Sequence, residues 1–471
     1  MQLSHTRSVV SATFDDPNLV SAAGLVPVMR IAAEAGLTEL AQEHLSVPTD
    51  RGANAGLKVT SLVGGMVAGA DSIDDMALLR HGGMRRIFNR IYAPSTLGSF
   101  LRAFTFGHVR QLDAVASRFL VNLAKVTPLL GDPSADPAEE SMVFVDVDDT
   151  IIEVHGHAKQ GAGFGYSGVR GLNALTSTVS AANLAPVIAA SRLRKGNTGS
   201  PRGAARLVAD VLATLRRTAL AGRKILVRAD SAFYGHATIS AALTAGADVS
   251  VTARMDPAVK RTIASIADDA WTKIKYTNAI LDEATGQWVS TAEVAETPFT
   301  AFTSRKKSEQ VTGRLVVRRI PDLAPKAAPG QGTLFDRWRF HAFFTTTESD
   351  VLDTVTADRT HRQHAIIEQV HADLKHSALA HLPSGVFNAN AAWLVLAVMT
   401  FNLTRATGTI CGGDHARATT STLRRKIIAV PARIASSARK LQLHLPMDWP
   451  WESAWAVLFA RALSPPVVVP S

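Results

Sequence analysis

Three stretches of this chain bring acidic residues into settings where they could do chemistry. The run Val143–Thr150 (VFVDVDDT) presents Asp146, Asp148 and Asp149, and the run Lys224–Ser231 (KILVRADS) presents Asp230. The stretch His361–Lys375 (HRQHAIIEQVHADLK) presents Glu368 among histidines. Carboxylates brought together from two strands and a helix suit hard divalent cations, which take oxygen ligands and sit between carboxylates and a substrate phosphate. Such a site cuts or joins nucleic acid.

The spacing sorts these residues. Side chains alternate along a strand, so Asp146 and Asp148 share a face and Asp149 points the other way. Two carboxylates side by side are costly to bury without a cation or partner. Asp230 closes a short apolar strand, at the carboxyl end where open α/β sheets bind ligands. The Asp-Ser pair reads equally as a cap for the next helix. In the third stretch His361, His364, Glu368, His371 and Lys375 step by three and four, which predicts one shared helical face opposite Ile366, Val370 and Leu374. On that face Glu368 suits a metal and Lys375 a phosphate. A transition-metal face of His364, Glu368 and His371 is the alternative, but the strand aspartates favour an all-oxygen site.

The elements that must carry these residues follow from the pattern along the chain. Leu25, Val28, Met29, Ile31 and Ala32 open a helical segment that runs to about residue 130. Pro94 signals a helix start with Ser95 or Thr96 as its cap, and Arg80, Arg85, Arg86 and Arg90 beside His81 fit either a basic, DNA-reading surface or a solvated helical face. Residues 131–137 read as a linker. Strands are expected at Val143–Val147, Thr150–Val154, Leu175–Val179, Ala185–Ala189, Ile225–Arg228 and Asp248–Ala253. A glycine-rich loop spans Gly156–Gly171, and helices lie between the later strands. This is the order of a mixed α/β sheet. The expected division is a helical DNA-binding domain at 1–138, a catalytic core at 139–254 and 345–410, a β-rich insertion at 255–344 and a helical C-terminal region at 411–471.

Composition narrows the class. With 46% hydrophobic and 19% charged residues, the 471-residue chain can bury a large core. Fifty lysines and arginines against forty acids give a formal charge of +10, which favours a polyanionic partner. A lone cysteine, Cys411, excludes an internal disulfide or a cysteine zinc site. The N-terminus lacks the pattern of a secretory signal, and the apolar run Ala391–Phe401 is too short to span a bilayer. A buried helix and a cytoplasmic protein are expected.

With these residues in view, the chain resembles bacterial insertion-sequence transposases of the DDE type, in the superclass with a Tyr-x2-Arg-x3-Glu-x6-Lys signature. The frame matches Glu368 and, after six residues, Lys375. The stretches Asp146–Thr150, Gly161–Tyr166, Arg228–Ser231 and Phe387–Trp393 carry the likeness over roughly residues 15–460. The resemblance implies an RNase H-like core with a β-strand insertion between the second aspartate and the glutamate. It implies a catalytic triad of Asp148, Asp230 and Glu368 holding two Mg²⁺, for which Mn²⁺ can substitute. It also implies double-stranded DNA partners (terminal inverted repeats and target), a homodimer in the synaptic complex, no membrane, and a place at the bacterial nucleoid. Asp148 is preferred to Asp146 because Asp-x-Thr matches the first block. His361 and His364 stand where the signature has Tyr and Arg, so His361, His364, Arg362 and Lys375 are the expected DNA-phosphate contacts. A Mg²⁺ nuclease without strand transfer, or an inactive DNA-binding derivative, are the competing functions.

Overall fold

The computed structural model describes residues 4, 10–131, 142–282, 287–321, 338–437 and 440–463. Beyond Gly131, the expected linker lies outside the described residues. The chain opens on a two-residue strand, β1 (Leu19–Val20). Helices follow: α1 (Leu25–Glu34), α2 (Leu37–His44), α3 (Thr49–Gly52), α4 (Ala55–Ala68), α5 (Met84–Ile87), α6 (Pro94–Arg102) and α7 (Phe106–Val126). Pro94 occupies the first turn of α6, where its missing N–H costs nothing, and the capping position falls to Ala93 rather than Ser95 or Thr96. At α7 the Thr105 side chain and the His108 ring cap each other's backbone.

The aspartate-bearing strands lie in one sheet. Its strands are β2 (Val143–Glu153), β3 (Gly163–Phe164), β4 (Arg170–Ser180), β5 (Val187–Lys195), β6 (Ile225–Ala229) and β7 (Asp248–Thr252). The two strand segments expected on either side of Asp148 are a single strand, β2. It pairs antiparallel with β4 and parallel with β6, and β6 pairs parallel with β7. Helices α8 (Ala204–Leu215) and α9 (His236–Thr244) link β5 to β6 and β6 to β7. An antiparallel β5-β4-β2 hairpin set continued by parallel β6 and β7 is the RNase H-like arrangement. A bulge between Ser177 and Thr178 leaves the backbone of Ile188 facing inward, and the buried Asn402 side chain satisfies both its N–H and C=O, at 2.9 and 2.8 Å.

The insertion extends this sheet rather than standing apart from it. After α10 (Pro257–Ala264), capped by Asp256, come β8 (Thr272–Asp282), β9 (Gln287–Ala301), β10 (Val311–Pro321) and β11 (Trp338–Thr345). They run antiparallel in the order β11-β10-β9-β8, and β11 pairs with β7. Arg319 lies between the rings of Trp271 and Trp338, 4.1 and 4.4 Å from their centres.

The chain then returns to the aspartate-bearing strands with α11 (Thr354–Arg362), a 3₁₀ turn at Gln363–Ala365, α12 (Ile366–Lys375) and α13 (Phe387–Cys411). Among the described residues α13 is long and apolar enough to cross a membrane, but it is buried within the protein. It packs against α4, α6 and α7 on one side and β5 on the other, so a continuous apolar core joins the N-terminal helices to the sheet. The C-terminal region contains α14 (Thr420–Leu423) and α15 (Glu452–Leu463), with an unexpected hairpin, β12 (Ala432–Ser437) and β13 (Lys440–His444), between them. That hairpin pairs with β1, so the first strand of the chain is completed by one of its last.

Candidate active site

The aspartates of β2 part company according to their partners. Asp146 is fully buried, and Arg228, its neighbour on β6, grips both its oxygens: Nε donates to Oδ1 at 2.7 Å and Nη2 to Oδ2 at 2.8 Å. The remaining Arg228 donor group, Nη1, reaches the Thr360 carbonyl near the end of α11 at 2.6 Å. On the other face, Asp149 accepts bonds from Arg194, from Asn173 (2.6 Å) and from Ser200 (3.1 Å). Both carboxylates are thus spent on structure, each neutralised by a planar guanidinium.

Asp148 and Asp230 are left open. Among the described residues neither is ion-paired to an arginine or lysine. Burial pushes the Asp148 carboxyl up to about 7, and the Asp230 and Asp149 charges push the same way, against the Asp149 N–H and His364. Burial also raises Asp230. Asp230 directly follows β6 and caps the 3₁₀ turn Ser231–Phe233, Ala232 N–H donating to Oδ1 at 3.0 Å. It is therefore both the cap and the strand-end carboxylate that its sequence allowed.

The helical segment is not one helix. A 3₁₀ turn at Gln363–Ala365 separates α11 from α12 and splits the predicted face. His361, still on α11, turns to the sheet. Its Nδ1 lies 2.9 Å from Ser250 Oγ, its Nε2 lies 3.0 Å from Thr252 Oγ1, and its ring stacks on Phe343. Burial lowers it to about 3. With both ring nitrogens engaged by β7 and burial disfavouring a positive charge, His361 serves the sheet in this structure. Arg362 pairs with Asp358 at 2.9 Å. His364, on the turn, hydrogen-bonds Asp146 through Nδ1 at 2.9 Å.

Beyond the turn the spacing holds. His371 is buried against β4, its Nε2 2.6 Å from Thr176 Oγ1, and its Nδ1 is 3.8 Å from Asp148 Oδ2. Thr176 is the residue opposite Asp148 in the β2–β4 register. Burial lowers His371 to about 3, so it faces Asp148 as a neutral ring. Lys375 is half-buried, and the Asp148 charge opposes the lowering that burial imposes on it. Glu368 is exposed on the same side of α12, one turn before His371. The structure thus brings Asp148, Asp230, His364, His371 and Lys375 into one neighbourhood. Among the described residues no three acidic, histidine or cysteine side chains form a ready metal cage, and Glu368 does not close onto the two aspartates.

A cleft of about 480 Å³ runs along the end of β2, lined by Ile151, Glu153, Tyr166, Lys375 and His381. Tyr166 is 71% exposed at its rim, with its hydroxyl 3.5 Å from the Asp149 carbonyl. It sits on the glycine-rich loop, where Gly161 and Gly168 take left-handed backbone angles. Arg228, Asn173 and Arg194 escaped the sequence reading. Only the two-residue step from Arg228 to Asp230 along one strand pointed to any of them.

The oxygen donors fit divalent cations. Burial disfavours the charge of Asp148 and Asp230, and among the described residues neither is ion-paired to an arginine or lysine, so a hard cation between them would relieve both.

The family model for transposase DDE domain, group 1, matches residues 2–464. The chain belongs to this DDE transposase family. No curated protein matches it. Among solved structures, the cryo-EM synaptic complex of piggyBac transposase with hairpin DNA is loosely similar to this transposase, with a TM-score of 0.37 and 10% identity over 90% of this chain and 73% of that one.

Proposed function

We propose that this transposase cuts DNA at the ends of an insertion sequence and joins the freed ends to a target, using Mg²⁺ held by Asp148, Asp230 and Glu368. The observation that carries this reading is the division among the strand carboxylates. Asp146 and Asp149 are sealed by arginines, while Asp148 and Asp230 stay open in a chain that fits the family model almost end to end.

Asp148 and Asp230 would hold the cations from the sheet, and Glu368 would complete the set from α12 as substrate arrives. When bound, such cations supply Lewis-acid stabilisation of the oxygens around phosphorus. The protein's own part is placement. The Thr176–His371 bond holds α12 against β4, beside Asp148. Lys375 stands at the adjoining cleft, where an ammonium can grip a backbone phosphate.

The test is cleavage of DNA carrying the inverted repeats that flank the gene. Mg²⁺-dependent nicking at the repeat ends, followed by joining to a second duplex, is expected. Nicking without joining would leave a nuclease, and end-specific binding without nicking an inactive derivative.

A further inference from the structure

We propose that Arg254 positions the DNA strand, holding a backbone phosphate on the opposite flank of Asp148 and Asp230 from Lys375. This rests on the transposase reading above and deepens it, because it gives the strand a course across the sheet.

Arg254 owes its place to β7. Strands β6 and β7 are parallel, so both release the chain at the same edge, β6 into Asp230 and β7 into Ala253 and Arg254. The Ala253 N–H donates to the Ala342 carbonyl at 2.8 Å, which pins the backbone just ahead of Arg254. Arg254 Nε then donates to the carbonyl of Ser231, the residue after Asp230, at 3.2 Å. That bond sets the guanidinium beside the Asp230 turn.

The rest of the guanidinium is unspent. Among the described residues nothing accepts a hydrogen bond from Nη1 or Nη2, and the side chain is exposed. The nearest acid in sequence, Asp256, is committed elsewhere: its Oδ1 caps α10, accepting from the Ala258 and Val259 N–H groups at 2.9 Å each. The Nη1–Nη2 edge therefore offers a permanent charge and paired donors, which match two oxygens of one phosphate. Because Nε is already anchored, less side-chain freedom is lost when the phosphate binds.

Strand order sets the course. Across the sheet the order is β4-β2-β6-β7, and α12 packs over β2 and β4. Lys375 thus stands on the β2–β4 side of the two aspartates and Arg254 on the β7 side. Neighbouring strands lie about 4.8 Å apart, so roughly 10 Å separates β2 from β7. A DNA strand gripped by both residues runs across the strand ends, with the phosphate between the two grips over Asp148 and Asp230.

Single methylphosphonate substitutions, each removing the charge of one phosphate, locate the contact. Full-length protein is tested in gel shifts on inverted-repeat DNA substituted in turn at each phosphate flanking the cleavage point, and in Mg²⁺-dependent nicking of the same duplexes. Arg254→Ala should bind unmodified DNA about 10-fold more weakly than wild type, with a salt slope lower by about 1. It should lose sensitivity to substitution at one phosphate, on the other side of the scissile phosphate from the one at which Lys375→Ala loses it. Arg254→Lys, which keeps the charge without the fork, should recover only part of the affinity. Wild-type binding by Arg254→Ala, undiminished sensitivity at every phosphate, or loss on the same side as Lys375→Ala would each overturn the proposal and leave the transposase reading standing. Wild-type protein that neither binds nor nicks the repeat DNA would overturn that reading and this proposal with it.

Discussion

Arg228 holds both oxygens of Asp146, and that pairing singles out Asp148, two residues along the same strand, as the carboxylate of β2 facing the site without a guanidinium. The choice between two aspartates of one motif is made by a residue on the neighbouring strand. It decides which side chain is framework and which is free to bind.

Removing each proposed metal-holding carboxylate should separate function from stability. Asp148→Ala, Asp230→Ala and Glu368→Ala should all lose Mg²⁺-dependent nicking while retaining DNA binding in a gel-shift assay. Glu368→Ala should leave unfolding within about 0.5 kcal/mol of wild type, since Glu368 is exposed. Asp148→Asn should raise the melting temperature in chelator by about 2–4 °C, because it removes a charge that burial and Asp230 disfavour.

Arg228→Ala should behave in the opposite way. It strands a fully buried carboxylate, which costs about 3–5 kcal/mol in urea unfolding. Replacing Asp146 by Leu in the same chain should recover part of that loss, since the stranded charge is then gone.

His361 gives the protein a defined acid sensitivity. Its folded pKa, lowered to about 3, lies below the unfolded value near 6.5. The unfolded chain takes up the proton first, so the contribution of His361 is complete above about pH 6.5 and is lost as the pH falls toward 3. Between pH 6 and 4, His361→Gln should remove a slope of up to about 1.4 kcal/mol per pH unit from the unfolding free energy. Urea titrations at several pH values measure it. An unchanged slope would place the ring outside its pocket.

Truncating residues 1–130 is a poor test of DNA reading, because the N-terminal helices share their core with α13 and the sheet. Arg86 is also committed, bonding Asn18 and Ser436. Arg85 and Arg90 are exposed. If they contact phosphate, the double replacement by Ala should lower the salt slope of DNA binding by about 2 without changing stability. An identical slope would move the DNA surface elsewhere.

Periodicity revealed what depends on neighbours in sequence. The alternation in β2 separated Asp149 from Asp146 and Asp148, and the three-and-four spacing put Glu368, His371 and Lys375 on one side of α12. It could not reveal partners supplied from other strands, such as Arg228 for Asp146 or Arg194 and Asn173 for Asp149. The break at Gln363–Ala365 has no glycine or proline to announce it. It coincides instead with tertiary bonds, His361 to β7 and His364 to Asp146. The β1 pairing was invisible for another reason: two residues make no pattern.

That pairing also sets a schedule for the newborn chain. Leu19 meets Arg433, 414 positions later. At about 5–20 residues per second the N-terminal segment waits roughly 20–80 s on the ribosome for its partner strand. A message broken before that point would yield a protein that cannot close its small sheet.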